Sequence, residues 1–302
     1  MYLRAFTPED RERIIALLLS AGHAERYPTV WRLQLLLDSR VWDLAHDVQL
    51  GEDDQGRLIA CALLWKRGPD ETVVALERLL HPDYAETDLP SALLDWAITR
   101  TTAEAARRGE NMTLAVFPLE QDRDRLESQG FSRRTEDFNV YMKLALPHSA
   151  ASVRLPPGFQ LLPLAEEDLE RYQAAYDFTA VSLQHQRELL RHPDYQHFVV
   201  QAPEGSLAAY LECSFWREEW AVCAQRVGWI DYVQTLPGFH RQGLAEALML
   251  KGIDHLRAQG ATSIMLITRS DNDSAQALFR KVGFSLAGEE YVYLKEIEPD
   301  AR

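Results

Sequence analysis

Nothing in the 302-residue sequence comes near the run of about 20 apolar residues that a membrane helix needs. The opening Met1-Tyr2-Leu3-Arg4-Ala5-Phe6 lacks the apolar core and small-residue cleavage site of a secretory leader, which predicts a cytoplasmic protein with no membrane partner. Cysteine is scarce: Cys61, Cys213 and Cys223 show no CxxC spacing, so neither a disulfide framework nor a zinc site is expected, and buried free thiols are. Positive charge is also short, with 32 Lys and Arg against 46 Asp and Glu. The net charge of −14 repels phosphate backbones, argues against a nucleic-acid partner and favours a small cationic one such as an amine. A serine–histidine–acid order, an HExxH pair and a Walker loop are all missing, and His185, His192 and His197 lack metal-ligand spacing. No metal is expected.

What is present has the balance of a water-soluble globular chain, 46% hydrophobic and 26% charged, and its length suits two domains. Set against itself, the sequence repeats faintly with a period of about 150 residues, too long for a solenoid and right for a duplicated domain. The run from Leu3 to Asp10 has its echo from Leu161 to Asp168, and the strand-like run from Arg57 to Trp65 its echo from Ser206 to Ser214. Pro82-Asp83-Tyr84 answers to Pro237-Gly238-Phe239, and Gly130-Phe131 to Gly283-Phe284. Each half closes on a strand, Val140 to Leu144 and Val292 to Glu296. The Pro- and Ser-bearing stretch Leu146 to Ser152 reads as a linker. Domains are therefore expected over 1–147 and 154–302.

The most informative segment runs from Trp229 to Ala245 and reads as strand, tight loop and helix start. A helix opening on a small-residue loop turns its free N–H groups toward the loop and makes an anion site suited to a pyrophosphate. Gly243 and Ala245 let a diphosphate approach the backbone, and Arg241 adds a fixed positive charge. Downstream, Ser263 to Thr268 reads as a strand, and Asn272 to Phe284 as a short helix ending at Gly283.

These two segments resemble the GNAT superfamily of acyl-CoA-dependent N-acyltransferases. Its Gln/Arg-x-x-Gly-x-Gly/Ala loop matches His240-Arg241-Gln242-Gly243-Leu244-Ala245, and its Asn-x-x-Ala-x-x-Leu-Tyr-x-x-x-Gly-Phe helix matches Asn272 to Phe284. The resemblance is direct in the second half and reaches the first through the repeat, a tandem layout with precedent in mycothiol synthase. It implies an α/β (α+β) fold of two GNAT-like domains, each a mixed, mostly antiparallel sheet flanked by helices. It also implies acetyl-CoA as cosubstrate, with backbone groups of Val233, Gln234 and Thr235 on the pantetheine arm and those of Arg241 to Ala245 on the pyrophosphate. Asn272 and Ala275 would line the pantetheine, with Phe279 near the thioester and Arg280 or Lys281 within reach of a nucleotide phosphate. His240 replaces the family's Gln or Arg, and Phe279 stands where many members carry a tyrosine that protonates the leaving thiolate.

In the first half the stretch Pro82 to Pro90 has lost these features. Glu86 replaces Arg241, Asp88 replaces Gly243, and Pro90 removes a donor where Ala245 has one. A carboxylate about 4 Å from a phosphate costs roughly 4 kcal/mol at an effective dielectric near 20, against about 0.3–2 kcal/mol from a helix N-terminus. Glu120-Gln121-Asp122-Arg123 likewise departs from the Asn-x-x-Ala pattern. A degenerate first domain follows.

Acylating an amine requires a base, since an alkylamine is protonated at neutral pH. Asp231 is the first candidate, placed by alternation on one face with Val233 and Thr235, and Glu212 is the second. Tyr291 and Tyr293 are candidates to replace the missing acid. The expected reaction is N-acetylation of a small-molecule or peptide amine by direct attack in a ternary complex. A non-catalytic acyl-CoA-binding or sensor protein is the alternative. A monomer whose domains form a pseudo-dimer, or a homodimer, suits either.

Overall fold

The computed structural model describes residues 1–20, 33, 34, 36, 37, 43–66, 70–118, 122–136, 138–146, 154–175, 183–222 and 225–299. The chain divides into two compact units, Met1–Phe138 with Glu290–Arg302, and Asn139–Glu289.

The first unit holds strands β1 (Tyr2–Ala5), β2 (Val48–Glu52), β3 (Leu58–Trp65), β4 (Val73–Leu80), β5 (Met112–Val116) and β6 (Ser132–Arg133), with helices α1 (Arg11–Ser20), α2 (Leu44–Asp47), α3 (Leu89–Arg108) and α4 (Arg123–Ser128). Its seventh strand is the last of the chain, β14 (Tyr293–Ile297), in the order β1-β2-β3-β4-β5-β14-β6. Neighbours are antiparallel except β4 and β5. β3 is apolar throughout and buried along all but its last residue, as a strand covered on both faces must be. Along α3, Leu93, Leu94, Ala97 and Ala105 recur at helical spacing and enter the core beside Leu76, Leu114 and Tyr293. α3 stops at Gly109, whose φ of 66° suits the left-handed cap.

The second unit holds β7 (Asn139–Ala145), β8 (Gln160–Pro163), β9 (Tyr195–Gln201), β10 (Leu207–Phe215), β11 (Val227–Thr235), β12 (Ser263–Arg269) and β13 (Ser285–Glu290). Its helices are α5 (Leu169–Ala175), α6 (Leu183–Arg191), α7 (Arg217–Val222), α8 (Leu244–Gln259) and α9 (Asp273–Lys281). The order is β13-β7-β12-β11-β10-β9-β8. β11 and β12 run parallel, and the other pairings from β8 to β7 are antiparallel. α8 lies against one face: a Cβ on Gly252 would sit 3.0 Å from Leu211 Cδ2 and 3.1 Å from Ile230 Cδ1. Leu211 and Ile230 thus face α8, and by alternation His197 and Glu212 face the opposite side, where α5 packs.

Both sheets are mixed and mostly antiparallel, as expected, but the units do not follow the division at 147 and 154. The two closing strands are exchanged: β7 lies between β12 and β13, and β14 lies between β5 and β6. Residues 147–152 of the expected linker fall outside the described residues, as do Glu120, Gln121 and Cys223; Cys61 and Cys213 are buried free thiols. Among the described residues no helix is long and apolar enough to cross a membrane, and no group of His, Cys, Asp and Glu is arranged to hold a metal.

Candidate functional site

β11 and β12 pair only over Val227–Ser263, Gly228–Ile264 and Trp229–Met265. β12 continues to Arg269 along β7, whereas β11 continues to Thr235 along β10. From Ile230 onward the two parallel strands separate, and the edge of β11 that includes Val233, Gln234 and Thr235 no longer has β12 as its partner.

The chain then turns through left-handed conformations at Gly238 (φ 90°), Arg241 (φ 60°) and Gly243 (φ 81°). Arg241 is the one non-glycine residue with positive φ among the described residues, a conformation costing of order 1–3 kcal/mol. His240 Nε2 lies 2.9 Å from the Thr235 carbonyl and braces the loop against the strand end. Gly243 is the N-cap of α8 and offers no side-chain cap, so the first N–H groups of the helix, at Leu244 and Ala245, stay open to a ligand. Glu246 in this first turn would oppose an anion, but its carboxylate pairs with Lys281 Nζ at 2.5 Å. Among the described residues Arg241 forms no salt bridge. The arrangement is a cleft edge leading to an anion site.

The second motif forms α9. Asn272 is its N-cap, and Asn272 Oδ1 accepts from Ala275 N at 3.2 Å, so these two residues define the helix start. Gln276, which sequence reasoning passed over, is buried and donates from Nε2 to the carbonyls of Arg269 (3.1 Å) and Ser270 (3.0 Å), tying α9 to the end of β12. Phe279 is 4% exposed and packs near Phe284, a core position. Arg280 donates to Gln276 Oε1 at 2.8 Å, and Lys281 is held by Glu246, so both expected phosphate contacts already have protein partners.

On the face turned away from α8, the β10–β11 ladder contains a bulge. Glu212 pairs with Tyr232 and Cys213 with Ile230, leaving Asp231 as the extra residue. The bulge overturns the parity expected from alternation. Tyr232 stacks on Tyr210, and the hydroxyls of both reach Gln234 Oε1, at 2.5 Å from Tyr210 and 3.2 Å from Tyr232. Asp231 lies beside Glu212 and Ser214 on this same face, opposite to Val233 and Thr235. Both Asp231 oxygens are sealed from solvent without a hydrogen-bond partner. Burial raises its pKa well above the carboxylate range, the charge of Glu212 adds to the rise, and the nearby Ser214 hydroxyl opposes it.

Glu212 is 5% exposed and accepts from the Tyr172 hydroxyl of α5 and, at 2.6 Å, from the Tyr195 hydroxyl of β9. His197 Nδ1 lies 4.0 Å from Glu212 Oε1, and neither ring nitrogen has a hydrogen-bond partner. Burial lowers the His197 pKa, against the pull of Glu212. The tyrosines and the histidine were not picked out from sequence, although period-two spacing of Tyr195 and His197 on β9, and of Tyr210 and Glu212 on β10, was there to be read.

Tyr291 and Tyr293 are not part of the second unit. Because the closing strands are exchanged, both belong to the first unit. Tyr293 is 3% exposed in the first core, paired with Val116 and Arg133, and the Tyr291 ring lies 4.6 Å from Phe138 and 4.4 Å from the Arg133 guanidinium.

The first unit repeats the strand separation but fills it. β4 pairs with β5 from Val73–Thr113 to Leu76–Val116 and then continues to Leu80 along β3 without β5 as its partner. Counted from the two N-caps, Asp88 of α3 and Gly243 of α8, Arg78 is the counterpart of Val233. Its buried guanidinium donates to the Phe117 carbonyl at 3.2 Å and pairs with buried Asp122, the N-cap of α4, which also takes Arg125 Nη1 at 2.7 Å. α3 then opens with an acidic N-cap and Pro90, conditions that repel an anion.

Residues 161–284 match the acetyltransferase (GNAT) family. A mycothiol acetyltransferase of Renibacterium salmoninarum is 39% identical over 61 residues, 20% of this chain and 18% of that protein. The mycothiol acetyltransferase of Saccharomonospora viridis is 24% identical over 251 residues, 78% of each chain. In the former case the chain thus matches less than a fifth of its relative's length. A tandem GNAT protein from the clavulanic acid biosynthesis pathway superposes with a TM-score of 0.74 at 16% identity, covering 99% of both chains, and so shares the fold.

Proposed function

Because residues 161–284 match the acetyltransferase (GNAT) family and the fold is shared with a tandem GNAT protein, we propose that the second unit moves an acetyl or other short acyl group from acetyl-CoA to an amine. The observation that carries this reading is the separation of β11 from β12 beside a left-handed loop and an uncapped helix start. The free edge at Val233 to Thr235 suits an amide-bearing pantetheine arm, and the N–H groups from Arg241 to Ala245 suit its pyrophosphate. Asp231 takes the proton from the bound ammonium group. The amine nitrogen then attacks the thioester carbonyl, the C–N bond forms, the C–S bond breaks with its electron pair on the CoA sulfur, and the second proton lost from nitrogen passes to that thiolate or to solvent, leaving a neutral amide. A thiol of pKa near 8.5 leaves readily as thiolate, so the missing hydroxyl at Phe279 is no bar to turnover.

The acceptor fits the class of small-molecule amines: the face around Asp231 and Glu212 carries carboxyls and phenols, with no Lys or Arg among its described residues. The buried Arg78–Asp122 pair and the acidic N-cap Asp88 make the first unit a non-binding partner. Phe279, buried and without a hydroxyl, also supports a second reading, an acyl-CoA-binding protein without turnover.

Isothermal titration with acetyl-CoA tests the assignment. The expected result is one site per chain, abolished by Gly243→Asp and unchanged by Asp88→Gly. Nothing lies within 4 Å of a Cβ on Gly243, but its φ of 81° strains any L residue, so Gly243→Asp adds backbone strain as well as charge at the anion site. Two sites would refute a non-binding first unit, and no binding would refute both readings. Release of free thiol with an amine panel separates transfer from binding alone.

A further inference from the structure

The mechanism leaves one buried acid without a task. Glu212 is tied down from two elements, Tyr172 of α5 and Tyr195 of β9, one hydroxyl to each carboxylate oxygen, and it sits on β10 beside the bulge at Asp231. With both oxygens engaged by phenols it is poorly placed to take a proton from substrate, which revises its candidacy as the base. We propose that Glu212 is a positioning residue: clamped by two phenolic hydroxyls beside the carboxyl of Asp231, it sets how readily Asp231 accepts the amine's proton. The inference rests on Asp231 being the base.

Two carboxyls side by side in a desolvated place cannot both ionise cheaply, and the one stabilised by hydrogen bonds keeps the charge. Glu212 accepts two hydroxyl bonds, whereas Asp231 has only the Ser214 hydroxyl nearby. No cation among the described residues relieves the repulsion. From α5 the facing group is Tyr172; from β9, Tyr195 and His197; from β10, Cys213 and Ser214; from β11 itself, Tyr232. The arginines of α6, Arg187 and Arg191, are engaged by Glu166 and Glu170, and Arg217 of α7 by Asp194. Burial lowers the pKa of His197, so at neutral pH it contributes no charge. The direction of the Asp231 shift, raised by burial and then by Glu212, agrees with this geometry.

Infrared titration of the substrate-free chain tests the proposal without requiring the acceptor. The wild type should show a carboxyl that keeps its proton above the ordinary carboxylate range, and Asp231→Asn should remove that band. In Glu212→Gln the band should titrate at lower pH. Tyr172→Phe and Tyr195→Phe keep the Glu212 charge and should leave the band nearer its wild-type position than Glu212→Gln does. In acyl transfer, Glu212→Gln should move the acid limb of kcat/KM to lower pH. Its plateau should fall by less than the roughly 10²–10⁴-fold expected for loss of the base itself. A band unmoved in Glu212→Gln, retained in Asp231→Asn, or moved as far by the Tyr→Phe changes would overturn the proposal. If the infrared results hold but Asp231→Asn transfers acetyl groups normally, the choice of base is what fails.

Discussion

The Asp231 carboxyl has its oxygens sealed from solvent with no hydrogen-bond partner, so the same burial that makes it a stronger base makes it a burden on the fold. In the unfolded chain Asp231 releases its proton near the ordinary value of 3.8, while the folded chain holds it well above that. Between those two values the folded state binds more protons than the unfolded one, so stability falls as pH rises through the interval. Asp231→Asn removes that dependence. We therefore expect it to lower kcat/KM by roughly 10²–10⁴-fold and to raise the thermal midpoint relative to wild type at pH 8. The gain should shrink toward pH 4. Thermal melts at the two pH values check the sign, and a gain independent of pH would contradict the titration argument.

The loop from Trp229 to Ala245 and the helix from Asn272 were legible because their determinants are local: glycines at left-handed positions and an Asn that caps the next turn. The bulge at Asp231 was not, since a one-residue excess shows only against a partner strand's register. Nor was the strand exchange. Val140 to Leu144 and Val292 to Glu296 alternate alike, and either run fits either sheet; which one fills which slot is decided by contacts distant in sequence. The exchange has a cost for anyone dividing the chain at the repeat. β7 buries Val140, Tyr141, Met142 and Leu144, and full burial of each such side chain stabilises by about 1.5–3 kcal/mol, together comparable with a domain's total stability of about 5–15 kcal/mol. A fragment of 154–302 lacks β7 and carries β14 without the sheet it belongs to. It should lose its near-ultraviolet circular dichroism and cooperative melt, whereas a fragment of 139–289 should keep both. Equal behaviour of the two would show that the exchanged strands contribute little.

Across the whole molecule the most strongly shifted carboxyls of the two units are displaced in opposite senses. In the first, Glu52 accepts from Arg4 and Tyr2 and also faces Arg13, which brings its pKa down to about 2; Glu104, bonded by Arg107 and reached by Lys66, also lies at about 2. Asp10, held by Arg4 and the Thr7 backbone, lies lower still. Each of these carboxylates stabilises the fold fully above its unfolded value, 4.5 for the glutamates, and that stabilisation drains away as pH falls toward about 2. The second unit has its main shifted carboxyl, Asp231, displaced upward, so acid relieves it. Hydrogen exchange followed from pH 7 down to pH 3 should therefore show protection lost first in β1 to β3 of the first unit, with β9 to β11 retaining theirs. Loss in the reverse order would mean that the Arg4 network contributes less to the first unit than its geometry implies.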